Sequence, residues 1–350
     1  MLGLIHTFLN LSAPPFTFFS LLLLLPPLYL FKFFTFLLST IFSESVAGKV
    51  VLITGASSGI GEHLAYEYAR RGARLALVGR RENALREVVD RAAQCGSPEV
   101  IMIGADVSKA EDCKRLVDET INHFGRLDHL VNNAGITTCS MLEDVTDITN
   151  FRSVMDTNFW GSVYTTHFAA PHLRNNKGRI VVLSSVNAWL PVPRMSIYNA
   201  SKAAMLSMFE TLRVEFGPEV HITIVTPGYI ESEMNKGKYL SPEGKMTVDQ
   251  EMRDVQVSAI PVERVQECAN AIVNSVCRGQ RCLTEPAWYK VIYTWKVFCP
   301  ELLEWGYKFF YMARPGAPAN EAPSKDILDY TGVKNVLYPE SLHNPEIKTD

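Results

Sequence analysis

The sequence lacks the cysteine patterns that build metal sites and disulfide frameworks. Its seven cysteines are scattered and odd in number, with no Cys-x-x-Cys pair and no Cys/His cluster at zinc-ligand spacing. We therefore expect no metal in the functional site. We interpret the cysteines as reduced thiols in a chain whose main domain faces the cytosol.

Excess charge of either sign is also missing. A formal net charge of −3 over 350 residues gives no global case for a nucleic-acid partner, and we expect none. No internal repeat at the period of a solenoid is visible. What remains is a chain long enough for one large domain of roughly 250 residues, with additional segments at its ends.

Charged side chains are nearly absent from residues 1–43, where Lys32 is the single formal charge. Residues 16–42 are almost all apolar and supply the ~20 residues that a transmembrane helix needs. A cleaved signal peptide is disfavoured because no Lys or Arg precedes the apolar run, which also exceeds the ~7–15 residues of such a peptide. A buried helix of a soluble protein is disfavoured because the segment has no polar face.

The proline pair Pro26-Pro27 leaves two membrane arrangements open for this segment. A hairpin that dips into lipid and returns would bend there, whereas a single-pass helix would only be kinked there. We favour the hairpin slightly, and we expect residues 1–43 to be a hydrophobic membrane or lipid anchor with a proline knob. Both arrangements leave residues 44–350 on one side, and Lys32 and Lys49 favour the cytosolic side.

Short apolar runs that predict buried strands alternate with stretches that predict helices. Strands are predicted at 50–54, 74–78, 99–104, 128–132, 179–184 and 221–226. Helices are predicted at 62–71, 82–94, 109–124, 151–174, 195–216 and 262–278. This alternation indicates βαβ units, and hence an α/β fold with a Rossmann-like, doubly wound parallel sheet in a single catalytic domain, residues 44–285.

Three later segments break the alternation. Residues 229–260 are polar and form either a lid over the substrate or a mobile surface loop. Residues 286–313 are dense in aromatic side chains that would wall an apolar pocket, pack on the core or rest on a membrane surface. Residues 314–350 are polar and rich in proline, and we expect a loosely ordered tail.

A glycine-rich turn joins the first predicted strand to the first helix, in Thr54-Gly55-Ala56-Ser57-Ser58-Gly59-Ile60-Gly61. Glycines let backbone approach a pyrophosphate without interference from Cβ, and a helix N-terminus favours negative charge. Three glycines in a loop are a weak signal alone. Their position at a strand-to-helix turn strengthens it.

Arginines follow the second predicted strand, in Val78-Gly79-Arg80-Arg81. An NAD site usually places an acidic residue here to bind the ribose 2′-hydroxyl. Two guanidinium groups suit a 2′-phosphate instead, so NADP is favoured, with NAD as the alternative. The two arginines would otherwise be solvated side chains at the start of a helix.

Polar residues also follow the third and fourth predicted strands. Asp106-Val107 would either meet the adenine of a dinucleotide or begin the next helix with Asp106 as its cap. Asn132-Asn133-Ala134-Gly135 would border a cofactor or hold neighbouring strands. Asn158 lies in a predicted helix among apolar neighbours, where it would bend the helix and hold a water that links Lys202 to solvent.

Tyr198 and Lys202 are four residues apart and therefore share one face of a predicted helix, with Ser185 upstream. A nearby ammonium favours the phenolate, so we expect Lys202 to lower the pKa of Tyr198 from about 10. Such a phenol can exchange a proton with an alcohol or a carbonyl. The pair alone would more often be coincidence, and the other motifs reverse that judgement.

Together these residues resemble the short-chain dehydrogenase/reductase family over residues 48–285. The resemblance rests on the glycine-rich turn, Asn132-Asn133-Ala134-Gly135, Asn158, Ser185, Tyr198 with Lys202, and Pro227-Gly228. One departure is Ser232, where the family often has threonine. A hydroxyl group is retained at that position.

The resemblance implies roles for these residues. Tyr198 is the implied acid/base, Lys202 lowers its pKa and binds the nicotinamide ribose, Ser185 holds the substrate oxygen, and Asn158 completes a proton relay. The implied cofactor-binding residues are Gly55, Ser57, Ser58, Gly59, Ile60, Gly61, Arg80, Arg81, Asp106, Val107, Asn133, Ala134, Gly135, Tyr198, Lys202, Pro227, Gly228, Ile230 and Ser232.

Within the family, nearly the whole chain resembles the plant steroleosins, or 11-beta-hydroxysteroid dehydrogenase-like proteins. The matching features are the proline pairs Pro14-Pro15 and Pro26-Pro27, the stretch 156–161 and the stretch 285–301. The resemblance implies an NADP-dependent enzyme that interconverts a hydroxyl and a ketone on a sterol-like lipid, at an 11-beta or 17-beta position. It also implies a place on lipid droplets (oil bodies) or the endoplasmic reticulum membrane.

Two other functions stay open from the sequence. One is a non-catalytic, sterol-binding coat protein of lipid droplets, which intact Ser185, Tyr198 and Lys202 disfavour. The other is a fatty-aldehyde or ketone reductase of the endoplasmic reticulum. The family resemblance further implies a homo-oligomer that pairs through the helices near 151–174 and 195–216.

Overall fold

The computed structural model describes residues 2–314, 316–343 and 347–348. The chain divides into two compact units, residues 1–44 and residues 45–350. The aromatic-rich segment and the C-terminal segment therefore belong to the same unit as the predicted catalytic domain.

The first unit is a single α-helix, Leu2–Ile41, with no buried residue. At about 1.5 Å per residue it is roughly 60 Å long, about twice the ~30 Å hydrocarbon thickness of a bilayer. The helix is apolar and long enough to cross a membrane. The chain stays helical through Pro26 and Pro27, so the hairpin that the sequence favoured has no counterpart in this segment. Each proline removes its own N–H donor and its ring crowds the carbonyl four residues earlier, which ordinarily kinks or breaks a helix, yet the helix continues past all four prolines here.

The second unit is built on a seven-stranded parallel sheet in the order β3-β2-β1-β4-β5-β6-β9. The strands are β1 Val50–Thr54, β2 Arg74–Gly79, β3 Val100–Gly104, β4 His129–Asn132, β5 Arg179–Leu183, β6 His221–Pro227 and β9 Cys282–Glu285. A separate antiparallel pair consists of β7 Lys238–Leu240 and β8 Met246–Val248. The predicted doubly wound α/β fold is confirmed.

Helices cover both faces of the sheet. Alternate residues of β1 show why: Val51 and Ile53 join one apolar core, while Val50 and Leu52 join the other. The helices that pack on the first core are Gly59–Arg70, Glu82–Gln94 and Val265–Cys277. The helices that pack on the second core are Ala110–Phe124, Gly161–Asn175 and Ser196–Glu215.

The six predicted strands and six predicted helices of the sheet domain are all present, with small shifts at their ends. The strand β9 was not predicted from the sequence. The helix expected at 151–174 is helical throughout but changes its winding, from Arg152–Met155 through a π-helical turn, Asp156–Trp160, to Gly161–Asn175. Asn158 lies in that turn. The sequence predicted that Asn158 would bend the helix, but it did not predict that the irregularity would be a π-helical turn.

The segment 229–260 is structured. It contains a short 3₁₀ turn, Met234–Lys236, the β7–β8 pair, and the helix Gln250–Val257. Several of its side chains line the cleft described below.

The described part of residues 314–350 contains helices where composition suggested a loosely ordered tail, and residues 315, 344–346, 349 and 350 lie outside the described residues. The helices Pro323–Thr331, Lys334–Leu337 and Glu340–His343 pack against the domain. Leu328, Tyr338 and Leu342 are buried in a cluster with Val257 and Val262. Apolar residues spaced this widely in a polar segment give no helical periodicity, so only the tertiary contact reveals their role.

Candidate active site

The carboxyl ends of β1, β4, β5 and β6 meet at one edge of the sheet, where a cleft of about 840 Å³ opens. Most of the residues expected to bind cofactor or substrate line it. They are Gly55, Ser57, Ser58, Ile60, Arg80, Arg81, Asp106, Val107, Asn133, Ala134, Gly135, Ser185, Tyr198, Lys202, Pro227, Gly228 and Ile230. The four expected residues that do not line the cleft are Gly59, Gly61, Asn158 and Ser232.

The glycine-rich turn is held against the end of β4. A Cβ atom on Gly55 would lie 2.7 Å from the Ala134 Cα, and one on Gly61 would collide with the Asn133 side-chain amide and the Gly55 carbonyl. The same amide donates to the carbonyls of Thr54 (2.9 Å) and Gly55 (3.0 Å). Gly61 does not line the cleft itself. Because it has no side chain, it leaves room for the Asn133 amide that holds the glycine-rich turn in place.

Arg81 provides hydrogen-bond donors at the end of β2. Its Nη2 donates to the Ser58 Oγ (2.7 Å) and the Ser57 Oγ (3.3 Å), and its Nη1 forms an ion pair with Glu233 (2.9 Å). Arg80 is much more exposed and lies 3.9 Å from Asp106. Arg81 is therefore the arginine that the fold holds in place.

Asp106 has a structural role besides its position in the cleft. Its Oδ1 accepts hydrogen bonds from the main-chain N–H (3.1 Å) and the hydroxyl (2.9 Å) of Ser108. Lys109, not Asp106, is the N-terminal cap residue of the helix Ala110–Phe124. Asp106 therefore closes the turn before the helix and leaves its other oxygen toward Arg80.

Tyr198 and Lys202 are both almost fully buried on the helix Ser196–Glu215. The Lys202 Nζ lies 5.7 Å from the centre of the Tyr198 ring and donates to the Leu183 carbonyl (2.8 Å) at the end of β5. Ser185 follows that strand, and its hydroxyl accepts a hydrogen bond from the Asn187 N–H (3.1 Å) and interacts with the Tyr198 phenol. The structure thus brings Ser185, Tyr198 and Lys202 together.

The pKa values of this pair run against the expectation that Lys202 lowers the pKa of Tyr198. Burial raises the pKa of Tyr198 to about 12, and the hydrogen bond with Ser185 offsets part of that rise. Burial lowers the pKa of Lys202 to about 7. An ammonium with that pKa is only partly charged at neutral pH, so it stabilises a phenolate weakly.

Asn158 lies behind the pair and is fully buried. Its Nδ2 donates to the Ile136 carbonyl (2.9 Å) and the Ser201 Oγ (3.0 Å), and its Oδ1 accepts from the Ile136 N–H (2.8 Å). The side chain therefore ties the π-helical turn to the loop that follows β4 and to the helix that carries Tyr198. A relay through the Asn158 side chain would have to compete with these three hydrogen bonds.

Residues that the sequence did not single out also line the cleft. Glu233 pairs with Lys238 (3.0 Å) as well as with Arg81. Lys348 reaches the same place from the end of the chain: its carbonyl accepts from the Arg81 Nη1 (2.7 Å), and its N–H donates to Glu233 (3.1 Å). No local signal marks Lys348, because its position depends on packing across the whole domain.

Gly228 is enclosed by the aromatic-rich segment. A Cβ atom there would lie 2.6 Å from the Tyr289 Cζ. Tyr289 is itself buried and packs with Val186 and Leu190. This places one aromatic side chain of that segment directly on the Pro227-Gly228 turn of the cleft.

Comparison with known proteins agrees with this geometry. The sequence profile of the short chain dehydrogenase family matches residues 49–242, more than half of the chain. An 11-beta-hydroxysteroid dehydrogenase A of Sesamum indicum is 63% identical over 349 residues, which cover 100% of both chains. The 11-beta-hydroxysteroid dehydrogenase 1A of Arabidopsis thaliana is 62% identical over 347 residues, which cover 99% of each.

Solved structures show the same fold. A short-chain dehydrogenase/reductase of Burkholderia phymatum in complex with NAD has a TM-score of 0.65 and 26% identity, covering 78% of this chain and 98% of that one. An alcohol dehydrogenase of Thermococcus sibiricus complexed with 5-hydroxy-NADP has a TM-score of 0.56 and 27% identity, covering 67% of this chain and 94% of that one.

The family uses NAD(P), and the solved relatives were bound to NAD and to 5-hydroxy-NADP. The resemblance read from the sequence is therefore confirmed at full length: the chain belongs to the short-chain dehydrogenase family and is an oxidoreductase of the 11-beta-hydroxysteroid dehydrogenase-like kind.

Proposed function

We propose that the chain is an NADP-dependent dehydrogenase or reductase that interconverts a hydroxyl and a ketone on a sterol-like lipid, at an 11-beta or 17-beta position. The observation that carries this proposal is the buried arrangement of Ser185, Tyr198 and Lys202 at the inner end of the cleft. The names of the relatives support the substrate class. Apolar side chains of the segment 229–260, including Met234, Met246 and Val248, line the cleft and suit an apolar substrate.

The residues at the outer end of the cleft fit a dinucleotide that carries a 2′-phosphate. Arg81 and the hydroxyls of Ser57 and Ser58 are clustered donors, and Gly79 leaves no acidic side chain at the position that would bind a free 2′-hydroxyl. The glycine-rich turn would hold the pyrophosphate beside the N-terminus of the helix Gly59–Arg70. The ion pair between Arg81 and Glu233 would have to share the guanidinium with the phosphate.

The nicotinamide supplies hydride transfer to or from the carbinol carbon when it is bound. Tyr198 would exchange the proton with the substrate oxygen, since its phenol lines the cleft and forms a hydrogen bond with Ser185. The Ser185 hydroxyl would donate to that oxygen and stabilise the charge that develops on it. Lys202 lies 5.7 Å from the centre of the Tyr198 ring, and in its charged form it would favour the phenolate.

Replacement of Tyr198 with Phe tests the proposal. We expect turnover of a hydroxysteroid with NADP(H) to fall at least about 100-fold, because the proton-transfer group is lost. Titration should show that NADPH binding changes little. The matched control is Tyr164→Phe, a tyrosine stacked on Trp160 that does not line the cleft. Unchanged turnover in Tyr198→Phe would refute the assigned role. A wild type inactive on a panel of hydroxysteroids but active on fatty aldehydes would refute the substrate class.

We further propose that the helix Leu2–Ile41 attaches the chain to lipid droplets or to the endoplasmic reticulum membrane, with the catalytic unit in the cytosol. The support is its length and its apolar surface on all sides. A homo-oligomer that pairs through the helices near 151–174 and 195–216 is part of the same proposal. The exposed Val214 on the second of those helices is consistent with it.

A further inference from the structure

The helices Tyr289–Phe298 and Pro300–Tyr311 each carry two apolar faces. The inner face packs on the domain. Tyr289 and Tyr311 are buried there, and Leu303 and Tyr307 are half-buried against the cluster that Tyr289 forms with Val186 and Leu190. This contact satisfies the need of an ordinary amphipathic helix to bury one stripe.

The first helix carries a second apolar stripe that the domain does not cover. Trp288, Val291, Trp295 and Phe298 follow the spacing i, i+3, i+7 and i+10, so they share one side of the helix. Their exposed fractions are 39%, 63%, 51% and 77%. Four large apolar side chains in one row are more than the isolated exposed residues of a normal surface.

The second helix repeats the pattern. Leu302, Trp305 and Phe309 share one side, are 53%, 63% and 52% exposed, and include a stacked Trp305–Phe309 ring pair at 5.5 Å. Glu301, Glu304 and Lys308 have the same spacing one residue earlier along the chain, so the charged residues form a stripe of their own. The apolar residues are therefore segregated, and the helix is not a solvated one with scattered apolar side chains.

The composition of these outer stripes favours a lipid surface as the occupant. Three of the five tryptophans in the chain lie on them, and indole rings prefer the boundary between headgroups and acyl chains. Neither stripe contains an arginine or another charged side chain, although arginine is enriched in protein–protein interfaces. A lysine on each helix, Lys290 and Lys308, can reach lipid phosphates beside the apolar stripe.

Covalent connection strengthens the argument. Only the short segment 42–45 joins the apolar N-terminal helix to Val46, the first buried residue of the catalytic unit. A chain anchored by that helix meets the surrounding lipid surface as an intramolecular partner, at a high effective concentration. Even a weak apolar face then contributes to docking.

We propose that the outer stripes of the helices 289–298 and 300–311 form a second lipid-contacting surface, which rests in the phospholipid headgroup region. This inference rests on the proposed anchoring of the N-terminal helix, and it goes beyond it by assigning a lipid contact to the catalytic unit itself.

Tryptophan fluorescence of the full chain tests the inference, because residues 1–44 contain no tryptophan and the anchor gives no signal. The chain is reconstituted into phosphatidylcholine vesicles whose acyl chains carry bromine either near the headgroup or near the chain end. We expect strong quenching by the shallow bromines and weaker quenching by the deep ones. The variant Trp288→Phe/Trp295→Phe/Trp305→Phe should lose most of this quenching.

The matched control is Trp160→Phe, which removes an exposed tryptophan outside the stripes. It should leave the quenching nearly unchanged. All four substitutions are conservative changes at partly exposed positions, so circular dichroism should show an unchanged fold.

Vesicle flotation in the same samples separates the two proposals. Chain that floats with the vesicles but is not quenched would overturn this inference and leave the N-terminal anchor standing. Chain that does not float would overturn both. Unquenched chain that cross-links to a second copy through these helices would assign the stripes to a protein interface instead. Quenching that disappears in Trp160→Phe would also overturn the inference.

Discussion

The two walls of the cleft are built in different ways. On one wall, the glycine-rich turn, Asn133 and the end of β4 form a tight backbone contact in which an added methyl group has no room. On the other wall, Arg81 is surrounded by Glu233 and Lys348, side chains and backbone that come from distant parts of the chain. The first wall joins two sequence motifs that meet across 78 residues of chain, whereas the second is built by long-range packing of Glu233 and Lys348, which belong to no motif. Motifs therefore locate the site, while the packing around it determines which groups pair with the charge of Arg81.

The backbone wall should be the least tolerant of change. In Gly61→Ala the new methyl group would collide with the Asn133 amide and the Gly55 carbonyl. We expect the free energy of unfolding to fall by about 1–3 kcal/mol, as for other overpacked sites, and NADPH binding to be lost as the turn shifts. Denaturant unfolding and NADPH fluorescence titration measure the two effects.

The control for that variant is Gly306→Ala, a helical glycine with nothing within 4 Å of an added Cβ. It should be neutral or more stable by up to about 1 kcal/mol, because alanine favours a helix. Equal effects at the two glycines would show that the backbone wall is no more restricted than an open surface.

The protonation of Lys202 sharpens the comparison, because the motif fixes its position and burial sets its pKa. Burial lowers that pKa from 10.5 to about 7, so the unfolded chain binds more protons than the folded chain between those pH values. The contribution of Lys202 to stability therefore rises with pH across this window, by at most about 1.4 kcal/mol per pH unit.

Thermal or urea unfolding of the wild type and of Lys202→Met, between about pH 7 and about pH 10, checks this expectation. Methionine has similar length and no charge, so the variant should be more stable at the low end of the window and should lose the pH-dependent gain. Parallel pH profiles for the two proteins would contradict the lowered pKa.

The wall built by long-range packing should respond most mildly. A chain ended at His343 loses the Lys348 carbonyl that accepts from Arg81 and the N–H that donates to Glu233. Release of one hydrogen bond from Arg81, worth about 0.5–1.5 kcal/mol, should tighten NADPH binding roughly two- to tenfold and change NADH binding less. Titration of both nucleotides with both chains gives the comparison.

Two further variants make this test specific. Lys348→Ala keeps the main chain but removes the ion pair with Glu62 (3.1 Å), so it should shift NADPH binding in the same direction by less. In an Arg81→Ala background the truncation should have no effect. Weaker NADPH binding after truncation would instead make the C-terminal residues a supporting part of the nucleotide site.

Much of the fold followed from local pattern. The strand Val50–Thr54 and the helix Glu82–Gln94 have the bounds that the sequence predicted, because buried apolar runs and helical spacing are local signals. The strand Cys282–Glu285 was missed because four residues of mixed polarity carry no such signal, and its pairing with β6 supplies the missing stabilisation.

For the site, too, the positions of residues could be predicted from the sequence, but their pKa values and distant contacts could not. The positions of Ser185, Tyr198 and Lys202 relative to the glycine-rich turn follow from motif spacing and the parallel topology. The raised pKa of Tyr198 could not be predicted from the sequence. Burial of the phenol raises it, and this outweighs the effect of Lys202, which is itself buried. The contacts of Glu233 and Lys348 with Arg81 depend on tertiary packing between segments far apart in sequence.

The close fit between Gly228 and the Tyr289 ring has an evolutionary consequence. Any side chain larger than hydrogen at position 228 needs a smaller residue at position 289, and the reverse order of change opens a void beside the cleft. We therefore expect substitutions at positions 228 and 289 to occur together during evolution. Divergence in the helices that follow Glu285 is limited by the turn they cover, even though those helices lie outside the sheet that defines the family.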